Sequence, residues 1–160
     1  MGKKIAMWIG IIAVLVVGFI GVNRFFLVPN LSPMPDDLGW QDGRFTRCAK
    51  PMNCVSSTDP EDSRTHIAPI SYTGSVQDAH DTINRILNGM ERMTPVTDTA
   101  NYVHVEFRSL MNGFVDDTEF YIDAENNVIH VKSSARLGES DMGVNRNRIE
   151  SIREQFNAAS

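Results

Sequence analysis

From Ile5 to Val22 the chain reads IAMWIGIIAVLVVGFIGV, a run without a charged side chain. As an α-helix this run rises about 27 Å, close to the hydrocarbon thickness of a bilayer. A buried helix of a soluble protein shows a polar stripe, and a cleaved secretory signal has a shorter apolar core followed by an A-x-A-like site. Neither pattern is visible, so the run reads as an uncleaved anchor, lengthened by Phe25, Phe26 and Leu27, and residues 5–28 are expected to have the lipid bilayer as partner. Lys3 and Lys4 precede the run, only Arg24 follows it closely, and the next basic residue is Arg44. The positive-inside bias then predicts a single-pass inner-membrane protein with a cytoplasmic N-terminus, its remaining chain periplasmic or extracellular.

Past the anchor about 130 residues remain, the size of one domain. The expected division is an anchor over 1–28, a linker over 29–47 and a single globular domain over 48–160. The net charge of −5, with no block of Lys and Arg beside interleaved aromatics, argues against a nucleic-acid partner. With only two cysteines, Cys48 and Cys54, the chain cannot build a four-cysteine zinc site or a dense disulfide framework. Their separation suits a short disulfide loop in an oxidising compartment. The alternative, a redox or nucleophilic thiol, wants a Cys-x-x-Cys spacing at a helix start or a partnering His, and that spacing is absent.

From Pro29 to about Pro60 the sequence is rich in Pro, Asp, Gly and Ser and lacks periodicity, as an extended, irregular segment does. Trp40, Phe45 and the cysteine pair argue that it wraps the domain, since a disordered tether needs none of them. His66 to Tyr72 reads as a short strand. Ser75 with Asp78 is an N-terminal cap, and Val76, Ala79, Ile83, Ile86, Leu87 and Met90 share one helical face; Thr94-Pro95 should end that helix.

In YVHVEFRSLMNGFVDDTEFYID the Asn112-Gly113 pair signals a hairpin with a two-residue turn. Pairing Met111 with Phe114 sets Val103 against Ile122, Val105 against Phe120 and Phe107 against Thr118, which collects apolar side chains on one face. The other face then opposes His104 to Tyr121, Glu106 to Glu119 and Arg108 to Asp117. A turn near Asn126-Asn127 starts a third strand in which Ile129 and Val131 join the apolar face, while His130, Lys132, Ser134 and Arg136 join the polar one. A final helix carries Val144, Ile149, Ile152 and Phe156 on one side, with Asp141 as its cap. Single apolar faces on two helices and a meander are best buried together, so the expected fold class is α+β: a transmembrane helix, then a two-layer domain with an antiparallel meander and two packing helices.

The blocks CAKPMNCVSS at Cys48–Ser57, FVDDTEFYID at Phe114–Asp123 and VKSSARLGESDMGVNRNRIESIR at Val131–Arg153 occur in this order. Together they resemble the domain-of-unknown-function 1499 family, over about Cys48 to Phe156. The chain departs from the family pattern at Ala49, where a proline follows the cysteine, and at Lys132, where arginine is common. The resemblance implies a membrane-linked envelope domain and supplies no activity or catalytic residue; no cofactor is expected.

Among candidate sites, Ser56-Ser57 with His66 as base and Asp59 or Asp62 as orienter lacks a nucleophile elbow. The loop before the last helix, with Asp141, Asn145 and Arg146 as ligand- or partner-binding candidates, could offer backbone amides and Arg146 or Arg148 to a small anion, though an ordinary capped helix explains it somewhat better. The sharpest constellation is the polar sheet face of His104, Glu106, Arg108, Asp117, Glu119, Tyr121, His130, Lys132 and Arg136, for which a solvated surface is the plain alternative. Directly opposed Glu106 and Glu119 demand a cation. A two-residue second turn supplies Arg136 opposite Asp117, a four-residue loop supplies Lys132 opposite Glu119, and a metal held with His104 or His130 ranks behind both. The function these features suggest is a binding or interaction module of the envelope, its partner an envelope protein or a small anionic ligand. The rivals are a hydrolase or metal-assisted enzyme on the same face, and a structural role in envelope assembly.

Overall fold

The computed structural model describes residues 2–22 and 27–159; Arg24, Phe25, Phe26 and the Lys3 side chain, used in the reading of the anchor, lie outside the described residues. Helix α1 spans Gly2–Val22. Its stretch Lys4–Val22 has mean hydropathy 2.7 with none of it buried against the rest of the chain, and it is long and apolar enough to cross a membrane. A single turn, α2 (Val28–Leu31), comes next in the sequence among the described residues.

The remainder is an antiparallel sheet with two helices on one face, the expected α+β arrangement. Its strands are β1 (Cys54–Ser56), β2 (Ile70–Ser71), β3 (Met93–Asp98), β4 (Tyr102–Arg108), β5 (Val115–Asp123) and β6 (Val128–Ala135), in the order β1-β6-β5-β4-β3 with β2 also pairing β6. Helices α3 (Val76–Asn88) and α4 (Val144–Ala159) cover the apolar face. Ser75 and Asp78 form a reciprocal capping box at the start of α3. From the helices Ile83, Leu87, Ile149, Ile152 and Phe156 meet Val103, Val105, Phe120, Ile122, Ile129 and Val131 of the sheet, each buried. Burial of each such side chain is worth about 1.5–3 kcal/mol, which is what fixes the helices to this face.

Three expectations change. Helix α3 stops at Asn88, capped by Gly89, and residues 93–98 form an edge strand where the helix was expected to run on to Thr94-Pro95. Arg92, at φ 58°, reverses the chain between them. The edge strand was hidden because its residues are mostly exposed and Pro95 sits at a register shift, the setting in which a sheet tolerates proline.

The strand read over His66–Tyr72 shrinks to Ile70–Ser71.

The β4–β5 register is displaced by two residues: Val103 pairs with Phe120, His104 with Glu119, Val105 with Thr118 and Glu106 with Asp117. The reason is the turn. Ser109 donates its N–H to the Phe114 carbonyl, leaving Leu110 to Gly113 as a four-residue loop, and only Gly113 takes positive φ, at 70°. The Ser109 hydroxyl accepts the Phe114 N–H at 2.9 Å and holds the wider turn. A shift of two keeps every side chain on its expected face but changes its partner, so the expected pairs Glu106–Glu119, His104–Tyr121 and Arg108–Asp117 do not form. Between β5 and β6 the four-residue alternative holds, and Lys132 lies opposite Glu119.

Candidate functional site

The alternation that sends Val103, Val105 and Phe107 into the core sends Tyr102, His104 and Glu106 to the opposite face. There they meet Asp117, Glu119 and Tyr121 of β5, and His130 and Lys132 of β6. This face is not solvated: His104, Glu106, Asp117, Glu119 and Lys132 are all buried. The cover is the segment from Ser32 to Asn53, which lies across the sheet as a strap.

Local chemistry explains how an aperiodic segment holds its place. The Trp40 ring stacks on Tyr121 at 4.1 Å, with planes 4° apart, and reaches His130 at 4.9 Å. Phe45 packs edge-on against Trp40 at 5.0 Å and is fully buried. Before Trp40, Gly39 takes φ 110°, a conformation for which glycine is suited, and donates its N–H to Glu119 Oε1 at 2.6 Å. Arg136 donates to the Ser32 carbonyl at 3.4 Å. The far end of the strap is closed by the expected disulfide between Cys48 and Cys54, whose Cα atoms are 5.6 Å apart, just before β1 pairs with β6. In the chain-entropy account so short a loop contributes about 2 kcal/mol. Reduction of the full chain is therefore expected to lower the domain's stability by about that amount, read by circular dichroism; an unchanged melting curve would show that the bond does not secure the strap.

Beneath the strap the charges form two groups. In the first, Glu106 and Asp117 are the opposed carboxylates, and Arg136 bridges them, with Nη2 at 2.6 Å from Glu106 and Nε and Nη2 each at 2.7 Å from Asp117. His104 Nε2 stands 2.9 Å from Asp117, and Arg108 bonds Glu106 at 2.9 Å. Burial pushes the Asp117 carboxyl up, but Arg136 and His104 outweigh it and hold it below the usual carboxylate range. A protein guanidinium fills the place where a cation was required.

The second group centres on Glu119, which accepts from Gly39 N–H and, at 2.8 Å, from the Tyr102 hydroxyl. Burial and the neighbouring Glu119 raise the Tyr102 pKa, so its proton stays in place. The Lys132 ammonium is 3.8 Å from Glu119, too far for a hydrogen bond, and makes none to any described residue. Lys132, Arg136, Arg47, Lys50 and Asp117 line a cavity of about 210 Å³ between strap and sheet, with Pro35, Leu38, Ala49 and the disulfide as its apolar parts. Lys50 is engaged by Glu139 at 2.8 Å, whereas Arg47 has no ion pair among the described residues.

A third contact was not anticipated. Ser57 Oγ accepts the Val131 N–H at 2.9 Å and shares a hydrogen bond with His130 Nδ1 at 3.2 Å, while His130 Nε2 faces Asp123 at 3.6 Å. His66, the base imagined for Ser57, instead directs Nδ1 at the Asp59 carbonyl. Burial lowers the His130 pKa from 6.5, against the pull of Asp123. The neutral ring is thus favoured in the folded state. Its contribution is complete above about pH 6.5 and is lost as pH falls through the lowered folded value. A His130→Gln variant should lose less stability than the parent between about pH 7 and pH 5, and equal loss in thermal melts would contradict the assignment.

The loop candidates sit apart from this face. Asp141 accepts the N–H groups of Gly143 and Asn145, at 2.8 and 2.9 Å, ahead of α4. Buried Asn145 links the Ser133 hydroxyl to the Asn53 carbonyl, and Arg146 donates to the carbonyls of Arg64 and His66 at 2.8 and 2.9 Å. Arg148 lies on Phe107 and pairs with Asp116 at 2.7 Å. These groups tie α4 to the sheet and to the segment around β1. Among the described residues no group of three or more His, Cys, Asp and Glu is disposed to hold a metal.

Sequence reasoning missed Gly39, Trp40, Arg47 and Tyr102 as parts of the site. An aromatic pair in an otherwise Pro- and Gly-rich stretch was the signal available for the strap. No curated protein matches the chain. The family model for proteins of unknown function DUF1499 matches residues 44–156, from within the strap to the last turns of α4. With well over half its length matched, from the strap through the sheet to α4, the chain belongs to the DUF1499 family.

Proposed function

We propose that this protein is a binding or interaction module of the cell envelope, held in the inner membrane by α1 with its N-terminus in the cytoplasm and its domain in the periplasm. Lys3 and Lys4 ahead of the apolar run support that orientation, and the Cys48–Cys54 bond suits an oxidising compartment. The observation that carries the binding role is the cation-lined cavity under the strap, a concave site with a few polar groups among apolar walls. Its partner is a small anionic ligand or an envelope protein that contacts the strap. A reporter active only in the periplasm should work when fused to the C-terminus. Activity of a cytoplasm-only reporter there, with silence of the other, would refute the orientation.

One observation favours a second reading, hydrolysis. Ser57, His130 and Asp123 follow one another as nucleophile, base and orienter do. Ser57 is buried and already accepts a backbone N–H, which places this reading second. Turnover of esterase, phosphatase or glycosidase substrates by the purified protein, lost in Ser57→Ala or Glu106→Gln, would reverse the order.

A further inference from the structure

We propose that the cavity between strap and sheet binds a small carboxylate, its head on the Lys132 ammonium and its short apolar body against Pro35, Leu38 and Ala49. This rests on reading the domain as a binding module and names the ligand class.

The argument starts from Lys132. Its side chain is only 7% exposed, yet it has one carboxylate at 3.8 Å and no hydrogen bond to a described residue. An ammonium carries three donors, and the Lys132 nitrogen, on a buried side chain, reaches the cavity with none of them bonded to a described residue, so it is placed to donate to an oxygen ligand there. The other buried cation of the face is not: Arg136 is committed to Glu106, Asp117 and the Ser32 carbonyl. Arg47, without an ion pair, stands at the same cavity.

Charge decides the class of anion. Of the four cations in the lining, Arg136 is committed to Glu106 and Asp117, Lys50 to Glu139, and Lys132 stands beside Glu119, so among the described residues only the Arg47 charge is left unbalanced, which matches a monoanion better than a phosphate dianion. Size decides the rest. At about 210 Å³ the space lies below the roughly 300–1,000 Å³ of pockets for drug-sized ligands, which suits a carboxylate with a few carbons.

The test uses the full chain in detergent micelles or nanodiscs, titrated with butyrate, acetate and inorganic phosphate, and followed by isotope-edited NMR and calorimetry. Saturable binding is expected for butyrate, weaker binding for acetate and weaker still for phosphate. Lys132→Met should reduce butyrate affinity by roughly ten- to a hundredfold, the worth of a charged hydrogen bond. Arg47→Gln, at an exposed residue without an ion pair among the described residues, should reduce it several-fold, and Arg85→Gln, on the surface of α3, should leave it unchanged. Absence of saturable butyrate binding, equal affinity in the Lys132 and Arg47 variants and the parent, or preference for phosphate would overturn the proposal. Failure of butyrate together with site-specific cross-linking of a defined envelope protein to residue 49 would leave the binding-module reading standing and remove only this ligand class.

Discussion

Replacing Arg136 by Met is expected to destabilise the domain by about 3–5 kcal/mol, the usual cost of removing one partner from a buried ion-pair group. Among the described residues the guanidinium is the only bridge between Glu106 and Asp117, which lie directly opposite one another on β4 and β5. Without it, two buried carboxylates face each other with His104 bonded to Asp117 and the partly exposed Arg108 bonded to Glu106. Their mutual repulsion is then no longer bridged, and stability is lost. The same substitution releases the Ser32 carbonyl, so the start of the strap loosens with the sheet. A second change identifies the cause: Glu106→Gln in the Arg136→Met background should restore part of the loss by removing one of the opposed charges. Chemical denaturation of the full chain in micelles, followed by circular dichroism, measures both. A loss below about 1 kcal/mol would mean that the pair is solvated, as an exposed salt bridge is.

The second large effect is expected at Trp40. Its truncation to Ala removes the stacking on Tyr121 and the edge contact with Phe45, a loss of about 3 kcal/mol for an aromatic side chain of this kind. The damage should be local. The strap contributes no strand before β1, so its release leaves the helices and β3 to β6 paired while it uncovers Glu119 and Lys132. Limited proteolysis should cut Trp40→Ala between residues 32 and 47 at a protease concentration that leaves the parent intact, and Trp40→Phe should restore most of the protection. Equal resistance of parent and Ala variant would show that the strap is held by something other than the aromatic stack.

Much of the framework was legible because it is periodic. The uncharged run after Lys4, the helical face of Val76 to Leu87, and the alternation of Val103, Val105, Phe120, Ile122, Ile129 and Val131 each repeat a signal several times, and each element is present. The cysteine pair was legible from its spacing and predicted compartment, and it is bonded. The register was less secure because it hung on one turn. Asn112-Gly113 suits a tight turn, but the Ser109 hydroxyl stabilises a wider one, and the partners shift by two.

The site was legible only in part for the same reason. Alternation correctly placed His104, Glu106, Asp117, Glu119, Lys132 and Arg136 on one face. It could not say that the face is buried, because the cover is specified by single residues: Gly39 for its positive φ and the N–H it donates to Glu119, Trp40 for its ring, Phe45 for its volume. None of these recurs with a period. A charged sheet face under an aperiodic strap looks in sequence like a charged sheet face in water, and the shortage of solvent is visible only in three dimensions.

The claim on which the rest depends is that the strap belongs to the folded domain and seals the ionic face. Amide hydrogen exchange at Gly39 tests it most directly, since that N–H is donated to Glu119 from the middle of the strap. The Gly39 amide should be strongly protected in the full chain and should exchange orders of magnitude faster in Trp40→Ala, while core amides of β5 keep their protection. Exchange of Gly39 in the parent at the rate of an open loop would contradict the account.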